Sequence, residues 1–197
     1  ELSTWRRDLH AHPELRFEEY RTAAFVAAKL EEFGVDEIVT DFGGTGVVGV
    51  IHGQINTSGR SIGFRADMDA LPIQEVDRPH ASAVPGWMHA CGHDAHTACL
   101  LGAAQVLQST KHLWNGTVQL VFQPGEEILP GGASLMVAEG ALALNAPNTG
   151  PGQSHGPAVD GIIGQHVYPQ LDAGTVGFRS GAYMAAADEI QIRIVGQ

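Results

Sequence analysis

The segment 89–96 contains five side chains that can bind a transition metal. It is His-Ala-Cys-Gly-His-Asp-Ala-His, so three imidazoles, one thiol and one carboxylate lie within eight residues. These soft and borderline ligands suit zinc, manganese, nickel or cobalt. Cys91 stands where a helix is expected to begin, and a helix N-terminus favours the thiolate form of a cysteine. Ordinary surface and core histidines are the alternative explanation of this segment.

Two adjacent carboxylates, Glu126 and Glu127, follow a strand predicted over residues 118–122. The C-terminal ends of strands are where sites form in α/β sheets. Adjacent residues leaving a strand point in different directions, so one carboxylate can bind a metal while its neighbour faces the substrate water. The pair therefore predicts a general base beside a metal ligand, and a solvated acidic turn is the alternative.

Two further groups with metal-binding capacity stand at predicted strand ends. His166 stands at the end of a strand predicted over 161–167, and Asp67 and Asp69 follow a strand predicted over 61–65. Carboxylates in that position could hold the imidazole of a metal-bound histidine in one tautomer. Alone, the histidine could be structural and the carboxylates an ordinary turn. Four separate groups at loop or strand-end positions together predict a metal-assisted hydrolase site.

Other chemistries have less support in the residues. Residues 44–49 match the dinucleotide fingerprint G-x-G-x-x-G, but a strand follows them where a pyrophosphate site needs a helix. The sequence contains neither a G-x-S-x-G elbow nor a phosphate-loop pattern. Cys91 and Cys99 form no Cys-x-x-Cys motif, and their spacing along a predicted helix argues against a disulfide. A thiol-based redox protein is therefore the weakest hypothesis.

Alternating helical and extended patterns position these groups. Apolar residues at helical spacing predict a helix over 17–33 that stops at Gly34. The other predicted helices cover residues 5–12, 91–113 and 133–139, and the other predicted strands cover 37–39 and 46–52. A polar turn at 56–59 predicts a hairpin between the strands over 46–52 and 61–65. The strand over 161–167 is expected to be buried. This alternation predicts an α/β sandwich with a largely parallel sheet.

The composition excludes several classes of partner. The chain has 197 residues, of which 44% are hydrophobic and 17% charged, and its formal net charge is -11. No apolar run reaches the ~18 residues of a membrane span. A negative field repels phosphate backbones, so neither nucleic acid nor a membrane is expected as a partner. The scarcity of cysteine and the lack of a leader pattern predict a cytoplasmic location.

Five segments resemble, in order, the metal-dependent amidohydrolases of the hippurate hydrolase and auxin-conjugate hydrolase branch of the aminoacylase and carboxypeptidase G peptidase family. The segments are residues 7–15, 64–74, 88–97, 118–127 and 166–169. The blocks Cys-Gly-His-Asp-Ala-His and Gln-Pro-Gly-Glu-Glu are the most specific. The resemblance implies a zinc-peptidase-like catalytic domain, which is a three-layer sandwich with a mixed, largely parallel sheet.

The resemblance also implies the roles of individual residues at a site for two divalent metal ions. The implied metal ligands are Cys91, His93, Glu127 and His166. Glu126 is the implied general base, and Asp69 and Asp94 are implied to support the ligands. When the segments are aligned on Pro72, a metal-binding histidine of the wider family falls at Asp67. Cys91 and His93 are expected to supply the metal ligand that this histidine would provide.

The resemblance implies that the chain is the N-terminal part of a longer protein, without its lid domain. Residues 175–178 and 189–194 alternate apolar and polar residues as half-exposed strands do. We expect residues 1–183 to belong to the catalytic domain and residues 184–197 to form the first strand leading into an absent lid or dimerisation domain. The full-length protein could form a homodimer through that lid.

The expected reaction is hydrolysis of the amide bond of a small-molecule N-acyl amino acid or peptide-like substrate. A polypeptide that ends at Gln197 is expected to keep part of the metal site with little or no activity, because a late metal-binding histidine of the family and the lid would both be missing. The alternative function is a catalytically incompetent metal-binding fragment or interaction module.

Overall fold

The computed structural model describes residues 1–55, 57–144 and 159–182. The helices are α1 (Leu2–Ala11), α2 (Tyr20–Phe33), α3 (His93–Ser109) and α4 (Gly132–Ala138), with 3-10 turns at Lys111–Leu113 and Ala141–Ala143. The strands are β1 (Glu37–Phe42), β2 (Gly46–His52), β3 (Ser61–Asp67), β4 (Thr117–Gln123) and β5 (Gly161–Gly164). Helix α2 ends as predicted, because Gly34 adopts the left-handed conformation that closes a helix.

The described strands form one mixed sheet in the order β1-β2-β4-β3-β5. Strands β1, β2 and β4 pair antiparallel, whereas β3 is parallel to both β4 and β5. The hairpin predicted between the strands over 46–52 and 61–65 was wrong, because β2 and β3 are not neighbours in the sheet, and β1 and β2 form a hairpin instead. Strand β4 lies between β2 and β3, and the parallel pair β3 and β4 is connected through α3, as a parallel crossover requires. This order brings the C-terminal ends of β3 and β4 side by side.

Helices cover both faces of the sheet. Val47 and Ile51 of β2 belong to the core beneath α1, α2 and α3, whereas Val48 and Val50 pack with Met136 of α4 on the other face. The two faces separate because successive side chains along a strand point in opposite directions. The expected three-layer α/β sandwich is therefore confirmed.

Strand β5 is shorter and more exposed than the sequence predicts. It covers Gly161–Gly164 instead of residues 161–167, and Ile162 and Ile163 are 48% and 51% exposed. The expectation of a buried strand was wrong because β5 is the edge of the described sheet and pairs with β3 alone. An apolar run identifies a strand but not its place in the sheet.

The chain divides into two compact units, Glu1–Val167 and Tyr168–Gln197. The candidate site residues all lie in the first unit. In the second, the expected strand over 175–178 is not formed. The expected boundary between residues 183 and 184 and the expected strand over 189–194 lie outside the described residues. Within the described part of the chain, no helix combines the length and hydropathy that a membrane crossing demands.

Candidate metal centre

The N-terminus of α3 places Cys91 and His93 on either side of a glycine. Gly92 precedes the helix with a φ of 88°, in the left-handed region that favours glycine. A β-carbon at this position would also collide with Cγ2 of Val167. Gly92 therefore permits both the sharp start of α3 and the close approach of the segment that carries His166.

The predicted ligands converge on His93. The ligand atoms of Cys91, His93 and His166 lie within 4.8 Å of one another, as do those of His93, Glu126 and Glu127. Cys91 Sγ is 3.3 Å from His166 Nε2, and Glu127 Oε1 is 3.8 Å from His93 Nε2. The fold thus gathers side chains from α3, from the loop after β4 and from the segment after β5.

The buried atoms of this cluster fit a divalent cation. Within the described residues, His93 Nε2 and Glu127 Oε1 are buried and have no hydrogen-bond partner. Burying an unpaired polar atom is costly, and a buried carboxylate oxygen beside an imidazole nitrogen is a normal pair of metal ligands. Burial and the negative charge of Glu127 raise the pKa of Cys91 to about 12. A cation at this place would offset that negative charge and favour the thiolate.

Asp69 contacts two of the predicted ligands, His93 through its ring Nδ1 atom and Glu127 through its backbone N–H. His93 Nδ1 lies 3.1 Å from Asp69 Oδ1 and 2.8 Å from the Asp69 backbone oxygen. Asp69 Oδ2 accepts a hydrogen bond of 2.9 Å from the backbone N–H of Glu127. Burial alone would lower the pKa of His93, but the carboxylate of Asp69 and its negative neighbours raise that pKa overall. With its proton on Nδ1, His93 directs its Nε2 lone pair towards Glu127.

Asp94 does not contact a predicted ligand in the described residues. Its Oδ2 lies 2.7 Å from Arg6 Nε and 2.7 Å from His10 Nδ1. The other ring nitrogen of His10 is 3.2 Å from Glu75. Asp94 therefore joins α1 to the start of α3, so the support that the sequence predicts for it is indirect.

Asp67, the position where the wider family is expected to carry a histidine, is paired on two sides. Arg65 Nη1 lies 2.7 Å from Asp67 Oδ2, and His96 Nδ1 lies 2.6 Å from Asp67 Oδ1. Burial would raise the pKa of Asp67, but the hydrogen bond from His96 and the charge of Arg65 lower it to about 2. His96 belongs to the segment 89–96, for which the sequence predicts a metal site without a separate role for this histidine. Its spacing of three residues from His93 on one helix predicts that both side chains lie on the same face of α3.

Glu126 is exposed beside the cluster. Partial desolvation and the neighbouring charge of Glu127 raise the pKa of its carboxyl group. A carboxylate with a raised pKa accepts a proton more readily, as a general base must. Its position and its pKa therefore both suit the predicted role.

A buried carboxylate outside the predicted site, Glu19, holds the loop that carries Glu126. Glu19 Oε1 accepts hydrogen bonds from the backbone N–H groups of Gly125 (2.8 Å) and Phe17 (2.9 Å), and Oε2 accepts one from Thr45 Oγ1 (2.5 Å). Glu19 and Gly125 are 106 residues apart in the chain, so no local pattern could reveal the contact.

The buried position of Glu19 predicts a pH-dependent stability. Burial raises its pKa above the ordinary 4.5, although hydrogen bonds from Thr45 and Gly125 oppose the shift. Because the folded-state pKa exceeds the unfolded one, ionisation destabilises the fold as pH rises through the folded pKa. We expect Glu19→Gln to gain stability relative to the wild type as pH rises from 4 towards 7. Urea unfolding across this range measures the difference, and a difference independent of pH would contradict the prediction.

The chain is similar in sequence to peptidases and amidohydrolases. Residues 63–195 match the family described as peptidase family M20/M25/M40. The chain is 42% identical to an N-acyl-L-amino acid amidohydrolase of Geobacillus stearothermophilus, with all of this chain and 49% of the relative aligned. It is 40% identical to the hippurate hydrolase of Campylobacter jejuni, with all of this chain and 47% of the relative aligned.

A solved structure shares the fold. It is a dinuclear metal-binding peptidase of the M20 family from Bacillus subtilis, 42% identical, with a TM-score of 0.78. The alignment covers 91% of this chain and 46% of that protein. The chain therefore spans about half the length of each of these three relatives.

Proposed function

Because the chain belongs to peptidase family M20/M25/M40, we propose that it carries the metal-binding part of an amidohydrolase acting on N-acyl amino acids or related small amides. One observation carries the proposal. Four ligand-type side chains from three parts of the chain converge on His93, whose buried Nε2 atom has no hydrogen-bond partner in the described structure. The resemblance to an N-acyl amino acid amidohydrolase and to a hippurate hydrolase supports the substrate class.

The proposed ligands are Cys91, His93, Glu127 and His166. They would hold two divalent cations drawn from zinc, manganese, nickel and cobalt, because thiolate, imidazole and carboxylate together suit these ions. A similar protein described as a dinuclear metal-binding peptidase supports the number two. When bound, the cations supply Lewis-acid activation of a water molecule and polarise the amide carbonyl group.

Glu126 moves the proton in the proposed reaction. Its carboxylate oxygen accepts a proton from the attacking water as the new carbon–oxygen bond forms. The same oxygen then donates that proton to the amide nitrogen as the carbon–nitrogen bond breaks. The products are a carboxylic acid and the free amino group of an amino acid. Asp69 assists by fixing the imidazole of His93 and the backbone of Glu127.

The organisation of the whole protein is part of the proposal. Residues 1–183 would form the N-terminal part of a catalytic domain, and residues 184–197 would lead into a lid through which two copies pair. This proposal is supported by the greater length of two matched relatives, of which only 49% and 47% are aligned with this chain. A cytoplasmic location fits the two free cysteines, Cys91 and Cys99.

Metal removal tests the proposed function. We expect the protein that contains this chain, prepared at its natural length, to hydrolyse N-acyl amino acids. Dialysis against a chelator should abolish hydrolysis, and adding back zinc, manganese, nickel or cobalt should restore it. Release of the free amino acid is the measurement. Hydrolysis that survives complete metal removal would contradict the proposal, and metal binding without hydrolysis of any N-acyl amino acid would favour a binding module.

A further inference from the structure

We propose that His96 positions His166 by accepting a hydrogen bond from the backbone N–H of the next residue, Val167. The inference rests on the proposed function, because it concerns how one proposed metal ligand is held. Val167 N lies 2.9 Å from His96 Nε2. His96 is therefore a positioning residue that acts through the backbone of the segment carrying His166.

The tautomer of His96 is fixed from the opposite side of its ring. His96 Nδ1 donates a hydrogen bond of 2.6 Å to Asp67 Oδ1. With that proton on Nδ1, the lone pair of Nε2 is available to accept from Val167. Asp67 is in turn paired with Arg65, whose Nε donates to Gln123 Oε1 at 2.8 Å. A chain of polar contacts thus runs from the end of β4 to the backbone beside His166.

The hydrogen bond between Val167 and His96 matters for the position of His166 because the strand pairing of β5 ends before His166. Strand β5 stops at Gly164, and His166 is exposed. The Nδ1 atom of His166 bonds locally to the Val167 carbonyl oxygen at 2.7 Å. The rings of His96 and His166 also pack edge to face, with centroids 4.5 Å apart. One histidine of α3 therefore holds both the backbone and the ring of a proposed ligand.

His96 is a support rather than a ligand. Asp67, His93 and His96 offer ligand atoms within 4.8 Å of one another, which by distance alone suggests another metal cluster. Both ring nitrogens of His96 are already engaged, one by Asp67 and the other by Val167. A cation at His96 Nε2 would displace the hydrogen bond from Val167. The chemistry of the ring thus favours the positioning role.

Two substitutions separate the two hydrogen bonds of His96. In His96→Asn the side-chain amide nitrogen can take the place of Nδ1 and donate to Asp67, but nothing reaches Val167. In His96→Gln the side-chain oxygen can take the place of Nε2 and accept from Val167. We expect His96→Asn to weaken Co²⁺ binding about 10- to 100-fold and to change the visible absorption of the bound cobalt. His96→Gln should retain most of the wild-type affinity and the wild-type spectrum.

A matched control removes a buried hydrogen bond at the neighbouring position. Thr97 Oγ1 donates to the backbone oxygen of Asp67 at 2.9 Å and does not bond to Val167. Thr97→Val should lower thermal stability without changing the cobalt affinity or spectrum. All variants are prepared in the natural-length protein, and cobalt affinity is measured by competition with a chelator of known affinity.

The outcomes distinguish this inference from the proposed function. If the wild type binds cobalt and His96→Asn binds it equally well with the same spectrum, the positioning role is wrong and the proposed function stands. Equal weakening in His96→Gln and His96→Asn would also overturn it. A wild type that binds no cobalt would overturn the proposed function and this inference together. A measurement free of variants is the ¹⁵N spectrum of the histidine rings, in which His96 should carry its proton on Nδ1, and the opposite tautomer would contradict the proposal.

Discussion

Replacing Glu126 by glutamine should lower kcat for amide hydrolysis about 10²- to 10⁴-fold and leave the metal content of the protein unchanged. Glutamine has nearly the same size and shape, but its amide cannot accept a proton from water. Glu126 is exposed and its pKa is raised, so its loss removes a base without opening a cavity. The measurement combines steady-state kinetics on an N-acyl amino acid with metal analysis of the same preparation.

The neighbouring carboxylate provides the contrasting variant. In the described structure, Glu127 Oε1 is buried without a hydrogen-bond partner and lies 3.8 Å from His93 Nε2. Glu127→Gln should therefore lose metal, and the activity should fall with it. If Glu126→Gln lost metal to the same degree, Glu126 would be a ligand and its assignment as the base would be wrong. Unchanged kcat in Glu126→Gln would also remove it from the mechanism.

Replacing Cys91 by serine should weaken metal binding by more than the 10- to 100-fold that loss of a supporting hydrogen bond costs. The serine hydroxyl is similar in size to the thiol but is a poor ligand for zinc or cobalt, because it does not ionise near neutral pH. Cys91 Sγ lies 3.3 Å from His166 Nε2, so the substitution removes one of two adjacent ligand atoms. Metal content after dialysis into metal-buffered solution measures the effect.

Cys99 supplies the matched control for Cys91. It is a free cysteine on α3, eight residues further along the chain, and it is exposed. Cys99→Ser should leave metal content and activity unchanged. Full metal occupancy together with full activity in Cys91→Ser would contradict the proposed ligand set.

The sequence predicted most accurately those features that depend on a local pattern of residues. Strand β2 has the predicted bounds, and α2 ends at the predicted glycine. The family resemblance drawn from five short segments is confirmed by the match over residues 63–195. Local periodicity and capping chemistry determine these features, so they are visible in one stretch of chain.

The contacts that depend on tertiary packing were harder to predict from the sequence. Asp94 follows His93 directly, and consecutive helical residues are rotated by about 100°, so Asp94 faces α1 while His93 faces Glu127. The exposure of β5 depends on its place at the sheet edge, which an apolar run does not encode. The tie from Glu19 to Gly125 joins residues that are far apart in sequence. Each of these outcomes is set by which elements become neighbours in the fold.

The most direct test of the proposed site is a crystal structure of the natural-length protein loaded with cobalt or zinc, with diffraction data collected on both sides of the metal absorption edge. The anomalous difference map identifies the metal positions independently of the protein coordinates. We predict two metal peaks, bound by Cys91, His93, Glu127 and His166, with Glu126 beside them but not coordinated. A single peak, or peaks bound by other side chains, would contradict the proposed dinuclear site.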